Sequence, residues 1–234
     1  MYDPIKLSKI TEEIVVNNTL KKYYRFRPTG FYGGIATADT VGCNLRCKFC
    51  WSSNSVWNAS GAGEFYSPEQ VAEKLVSIAD SKGYRQLRIS GGEPTLGKQH
   101  LVGCLETIST NYLFILETNG ILLGYDNKYT KYLSKFKHLH VRVCLKGADP
   151  EEFYLFTGAL QGFEYQIKAL KNLRENHMSF NIALVSVHQE KKQRFFRQLK
   201  DMDLENVMVE EEEIKLYPLV RKRLQKEHLL AYFE

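Results

Sequence analysis

Three cysteines, Cys43, Cys47 and Cys50, fall within eight residues in the order C-x3-C-x2-C. Thiolates this close can hold three corners of one metal centre. A closed zinc site needs a fourth Cys or His nearby, and the next cysteine, Cys104, is more than fifty residues away. In a four-iron cubane, three protein thiolates leave one iron open to a non-protein ligand, and an open iron is where chemistry can occur. The bland alternatives are structural zinc or three incidental buried thiols.

Downstream, Gly91-Gly92-Glu93-Pro94 joins two glycines, which let backbone carbonyls approach a ligand closely, to a carboxylate that can oppose an ammonium group. Taken alone it is a commonplace turn. Glu117-Thr118-Asn119-Gly120 and Lys146 each end an apolar run. Lys21-Lys22-Tyr23-Tyr24-Arg25-Phe26-Arg27 interleaves cations with rings, and Arg221-Lys222-Arg223 recurs near the end. Such a stretch either stacks on bases and grips phosphates or is a solvated face whose rings pack inward. The net charge of +5 does not decide between them.

These residues need a scaffold that brings them together. Ile35 to Val41, Gln86 to Ser90, Tyr112 to Leu116, Leu139 to Leu145 and Phe180 to Val187 have strand composition. A last strand falls either at Asn206 to Val209 or at Ile214 to Tyr217. Helices are expected between the strands. Ser67-Pro68-Glu69-Gln70 reads as a capped start stopped by Gly83, and Asp149-Pro150-Glu151-Glu152 repeats the cap and proline. Further helices are expected from Thr11 to Leu20, near 100–108 and 127–136, over 163–176 and 191–201, and from 221 on; Ser52 to Gly63 reads as loop. Alternating strands and helices imply a parallel sheet, and six βα units fit the length. The expected fold is α/β, a partial (β/α)6 TIM-like barrel over residues 33–234 preceded by an extension at 1–32. The cysteine loop, Gly91 to Pro94, Glu117 to Asn119 and Lys146 then all sit at carboxyl ends of strands, where such folds gather their functional groups.

The chain of 234 residues, 44% hydrophobic, supports one substantial core. No apolar run approaches the roughly twenty residues of a membrane span, and the first residues lack a signal-peptide core, so a cytoplasmic protein with no membrane partner is expected. Five cysteines, three of them clustered, argue against a disulfide framework, and Cys104 and Cys144 read as small core residues.

The C-x3-C-x2-C loop with Phe49 before its last cysteine, followed one βα unit later by Gly91-Gly92-Glu93-Pro94, resembles the radical S-adenosylmethionine (radical SAM) superfamily. Within it the chain looks most like the activating enzymes of glycyl-radical enzymes, the group of the pyruvate formate-lyase activating enzyme. Thr118-Asn119-Gly120, Leu145-Lys146, Asp149-Pro150-Glu151-Glu152 and Thr157-Gly158 follow that group's pattern, over roughly residues 35 to 190. The resemblance implies a [4Fe-4S] cluster on Cys43, Cys47 and Cys50 whose open iron binds S-adenosylmethionine. It also implies reductive cleavage to a 5′-deoxyadenosyl radical that abstracts hydrogen from a polypeptide or small molecule. An electron donor such as flavodoxin or ferredoxin is implied as partner, with RNA as the alternative substrate. Phe49, Gly91, Gly92, Glu93, Pro94, Glu117, Thr118, Asn119, Lys146 and Ser186 are the cofactor-binding candidates it supplies, and Glu93 is expected to face the cofactor's ammonium. Cys144 and Glu117 stand where the activases carry carboxylates of a monovalent cation site, which puts that site in doubt. No second cysteine cluster is present.

Overall fold

The computed structural model describes all 234 residues. Helix α1 (Pro4–Val15) starts at Asp3, whose side chain accepts from the Ile5 and Lys6 amides, with Pro4 in the first turn. The helix expected from Thr11 to Leu20 therefore lies earlier, because Asp3-Pro4 is the stronger start. A two-residue strand β1 (Val16–Asn17) turns into β2 (Leu20–Thr29), which pairs antiparallel with β3 (Ile35–Thr40). The basic aromatic stretch is thus a strand of the main sheet.

After the cysteine loop come a short helix α2 (Ser53–Trp57), inside the stretch read as loop, and β4 (Glu64–Tyr66), which pairs with β2. Then α3 (Pro68–Lys82), β5 (Gln86–Gly91), α4 (Lys98–Thr107) and β6 (Leu113–Thr118) follow. Helix α3 has the full capping box between Ser67 and Gln70 and ends at Gly83 in the left-handed conformation (φ 68°), as its sequence requires. Helix α5 (Ile121–Tyr125), which the sequence pattern did not announce, and α6 (Asn127–Leu133) lead to β7 (Leu139–Leu145). Helix α7 (Pro150–Thr157), capped by Asp149, α8 (Phe163–Glu175), β8 (Ser179–Leu184), α9 (Gln189–Asp201), β9 (Val209–Glu211) and α10 (Pro218–Lys226) complete the chain. The last strand begins at Val209, where the first of the two expected places ends, and continues into the acidic run.

The strands β3, β5, β6, β7, β8 and β9 are neighbours in that order and run parallel, with β1 and β9 at the two open ends of the pairing path. Alternation divides the faces. Ala36, Ala38, Leu87, Ile89, Phe114, Leu116, Val141, Val143, Ile182 and Leu184 belong to the main core with the helices. Burying each of the larger aliphatic side chains contributes about 1.5 to 3 kcal/mol. The intervening positions make up the inner face, where Thr37, Asp39, Arg88, Ser90, Glu117, Arg142, Asn181 and Glu210 are polar and Ile115, Cys144 and Ala183 are interspersed among them.

Candidate active site

The cysteine loop leaves β3 and is held by residues from both ends of the chain. The Tyr2 hydroxyl accepts from the Arg46 amide (2.7 Å) and donates to the Thr157 carbonyl (3.1 Å). From α10, the Arg223 guanidinium donates to the carbonyls of Lys48 (3.0 Å) and Cys50 (2.9 Å) and lies over the Trp57 ring. Phe49 is buried between Phe156 and Phe233, with ring centroids 5.8 Å from each, an arrangement of edge contacts that favours aromatic packing. Phe49 therefore shapes the loop from behind.

Gly91 and Gly92 are required where they stand. Gly91 has φ 92°, and a Cβ on Gly92 would lie 2.1 Å from the Gly42 carbonyl oxygen, so the two loops touch through bare backbone. The Glu93 carboxylate makes its hydrogen bonds within the protein. It is 1% exposed, and Oε1 accepts from the Thr95 amide (3.0 Å) and the Thr95 and Thr118 hydroxyls (2.6 Å each), while Oε2 accepts from the Asn119 amide (2.9 Å). With three donors on Oε1 and one on Oε2, it ties the glycine loop to the loop after β6. Thr118 is occupied in the same way. Asn119 reaches the other way, donating to Asn44 Oδ1 (2.7 Å) and lying 3.8 Å from Cys43 Sγ. Pro94 contributes its carbonyl to Lys21 (2.9 Å).

Lys146, at the end of β7, is not a surface lysine. Its ammonium lies 3.6 Å from Glu212 and over the Phe49 ring. Burial alone would lower its pKa, but Glu212 and the Cys144 and Cys47 sulfurs together hold it above the ordinary lysine range. Ser186 follows β8 with its Oγ buried and without a hydrogen-bond partner, while Glu212 Oε2 faces the Lys146 ammonium at 3.6 Å. The buried Ser186 hydroxyl is therefore free to take up a partner from a bound molecule. Glu117 is drawn down the inner face, where it accepts from Arg88 (3.0 Å) and Tyr32 (3.3 Å). Arg142 beside it donates to Glu210 (2.8 Å) and lies 3.6 Å from Glu212.

Sequence reasoning missed Arg88, Arg142, Glu210 and Glu212, whose signal was charge inside strand patterns, and Lys21, Gln166 and Arg223. Gln166 on α8 is fully buried, donates to the carbonyls of Asn119 (2.6 Å) and Cys144 (3.2 Å), and accepts from the Lys146 amide. Its only trace was a glutamine among the apolar positions Phe163, Ile167 and Leu170 of the helix.

The three thiols fit an iron–sulfur cluster. Burial pushes Cys47 up to about 12 and raises Cys43 and Cys50 as well, with Lys146 opposing the shift at Cys47 and Arg223 at Cys50. Isolated thiols in so dry a place stay protonated at neutral pH, and metal ligation is what stabilises them as thiolates.

The profile of the radical SAM superfamily matches residues 38–199. The chain belongs to that superfamily. Radical SAM proteins use a [4Fe-4S] cluster and S-adenosylmethionine, and the α/β sheet described above is their partial-barrel fold. Sequence relatives include a probable GTP 3′,8-cyclase of Archaeoglobus fulgidus, 34% identical over 54% of this chain and 41% of that protein. Another probable GTP 3′,8-cyclase, of Methanococcus vannielii, is 31% identical over 62% of this chain and 49% of its own. The chain therefore spans about half the length of the curated relatives it matches. Among solved structures, spore photoproduct lyase with bound AdoMet superposes with TM-score 0.60 at 11% identity over 92% of this chain and 65% of that one. Native anSMEcpe with bound AdoMet gives 0.53 at 23% identity over 82% and 57%. These likenesses show the radical SAM fold. The expected activase subgroup is not what the sequence relatives are named. No helix is long and apolar enough to cross a membrane.

Proposed function

We propose that this radical SAM enzyme abstracts hydrogen from a small polar molecule bound against the inner face of its open barrel. The observation that carries the reading is the row of charged groups there: Arg88 and Arg142 share Glu117, and Glu210 and Glu212 continue the row to Lys146 below the cysteine loop. Guanidinium and carboxylate groups paired along one face of the sheet offer directional hydrogen bonds to a compact polar substrate. The GTP 3′,8-cyclase relatives support a nucleotide-sized substrate over the polypeptide of an activase. RNA loses its motive, because Lys21 is buried, Lys22 donates to the carbonyls of Ala59 and Ser60, and Arg25 and Arg27 both hold the buried Asp39.

The [4Fe-4S] cluster with S-adenosylmethionine on its open iron supplies, when reduced, a 5′-deoxyadenosyl radical that removes a hydrogen atom. Cys43, Cys47 and Cys50 would hold the cluster. The Gly91-Gly92 backbone, Lys146, whose ammonium suits a carboxylate, and the unpartnered Ser186 hydroxyl are this chain's groups for the cofactor. Gln166 and Glu93 hold the loops that carry them. The test is anaerobic reconstitution followed by measurement of 5′-deoxyadenosine with dithionite, alone and with purine nucleotides or with short glycine-containing peptides. The proposal expects nucleotide-class molecules, and not peptides, to accelerate cleavage, and expects Arg142→Ala to abolish the acceleration while leaving unstimulated cleavage in place. Acceleration by peptides alone would refute it.

A further inference from the structure

Lys21 is fully buried, yet no carboxylate lies within ion-pair distance of its ammonium. Its donors go to the carbonyls of Glu93 (3.0 Å), Pro94 (2.9 Å) and Leu96 (2.5 Å), three acceptors on one four-residue stretch. Burying a charge is expensive unless hydrogen bonds replace its water, and here each N–H has a partner. The Tyr129 hydroxyl takes the Thr95 carbonyl (3.3 Å), so the carbonyls of residues 93 to 96 are all held. The carbonyl of Gly92, just before them, makes no hydrogen bond within the protein. A second handle comes from α1, where Glu12 accepts from the Gly97 amide (2.7 Å). Both handles precede residue 38, where the superfamily match begins.

We propose that Lys21 is a positioning residue for S-adenosylmethionine binding. By gathering the carbonyls of Glu93, Pro94 and Leu96 onto one ammonium it fixes the glycine loop with the Gly92 carbonyl left to accept from the cofactor's methionyl ammonium. The N-terminal segment is then part of the cofactor site and not an appended substrate arm. Glu12 fixes the far end of the same loop. The inference rests on the glycine loop being the cofactor's ammonium site.

The test uses the full chain with its cluster reconstituted anaerobically, comparing Lys21→Met, Glu12→Ala and, as control, Lys22→Met, whose lysine bonds to a different loop. Iron content, unfolding midpoint and the S-adenosylmethionine Kd, read from the change the cofactor makes in the reduced cluster's EPR spectrum, are measured on each. Lys21→Met is expected to keep its iron and raise the Kd at least tenfold, with KM for the cofactor rising in step and kcat at saturation held within about twofold. Glu12→Ala should raise the Kd about threefold, and Lys22→Met should leave it unchanged. A folded, cluster-loaded Lys21→Met protein with a Kd within twofold of wild type overturns the proposal. So does an equal loss in Lys22→Met, which would mark a general effect of the strand. Should Lys21→Met not fold, Glu12→Ala decides alone, an unchanged Kd refuting the role. Failure of the wild-type protein to bind the cofactor would instead remove the reading of the loop on which the inference stands.

Discussion

Replacing Glu93 by glutamine tests whether this carboxylate is a structural tie between two loops or a ligand group. Each of its oxygens faces a backbone N–H, that of Thr95 on Oε1 and that of Asn119 on Oε2. Hydroxyls of Thr95 and Thr118 can rotate to donate or accept, but a backbone amide cannot. Whichever way the new amide is turned, its NH2 therefore opposes a fixed donor. One charge-assisted hydrogen bond is lost and a buried N–H is left without an acceptor, a loss of about 2 to 4 kcal/mol. The change also removes a negative charge that favours the Lys21 ammonium, which acts in the same direction. Anaerobic urea unfolding of the ligand-free, cluster-loaded protein should show the full loss, and the thermal midpoint should fall by roughly 5 to 15 °C for a domain of this size. Thr118→Val, which deletes one of the four donors, should lower stability by about 1 kcal/mol. Stability of Glu93→Gln within about 0.5 kcal/mol of wild type, the usual effect of a harmless surface change, combined with weakened cofactor affinity, would show the carboxylate to be free for the ligand after all.

Alanine at Cys43, Cys47 or Cys50 should abolish bound iron and the brown chromophore, whereas Cys104→Ala and Cys144→Ala should keep about four irons per chain, checked by iron and sulfide assay. Burial lowers the His100 pKa from 6.5 to about 4, and its ring is held by the Thr19 carbonyl and the Tyr23 hydroxyl. The unfolded chain therefore takes up the proton first, and the stability present above pH 6.5 is lost as the pH falls toward 4, by about 3 kcal/mol at about 1.4 per pH unit. Unfolding free energies at pH 7 and pH 5.5 should differ by about 1 kcal/mol in wild type and less in His100→Asn, and equal slopes would exclude His100 as the cause. Arg223→Ala removes the donors to the carbonyls of Lys48 and Cys50 and should speed iron loss to a chelator severalfold, while unchanged loss would mean the C-terminal helix does not secure the loop.

The parts of this fold that local chemistry determines could be read from the chain. Ser67 with Gln70, and Asp149 with Pro150, set their helix starts through contacts no more than a few residues apart, and Leu139 to Leu145 has strand composition from end to end. The cysteine triplet and the glycine loop were found by residue type, and the parallel sheet puts both at strand ends. What escaped depends on distance or on the inner face. Glu210 makes β9 look like an acidic loop, because in a barrel with a charged interior the inward residue of a strand is polar. The hydrogen bonds of the Glu93 carboxylate escaped because Thr118 and Asn119 lie 25 and 26 residues along the chain. Lys21 looked like part of a cationic surface for the same reason, since its acceptors are more than seventy residues away.

The cysteine loop is secured by Tyr2 and, 173 residues beyond Cys50, by Arg223. During synthesis Cys43, Cys47 and Cys50 are made long before Arg223, which holds the carbonyls of Lys48 and Cys50. The contacts from Tyr2, Thr11, Asn119 and Phe156 can form first, and those from α10 come last. A chain shortened before Pro218 would keep all three cysteines and lose both of these contacts.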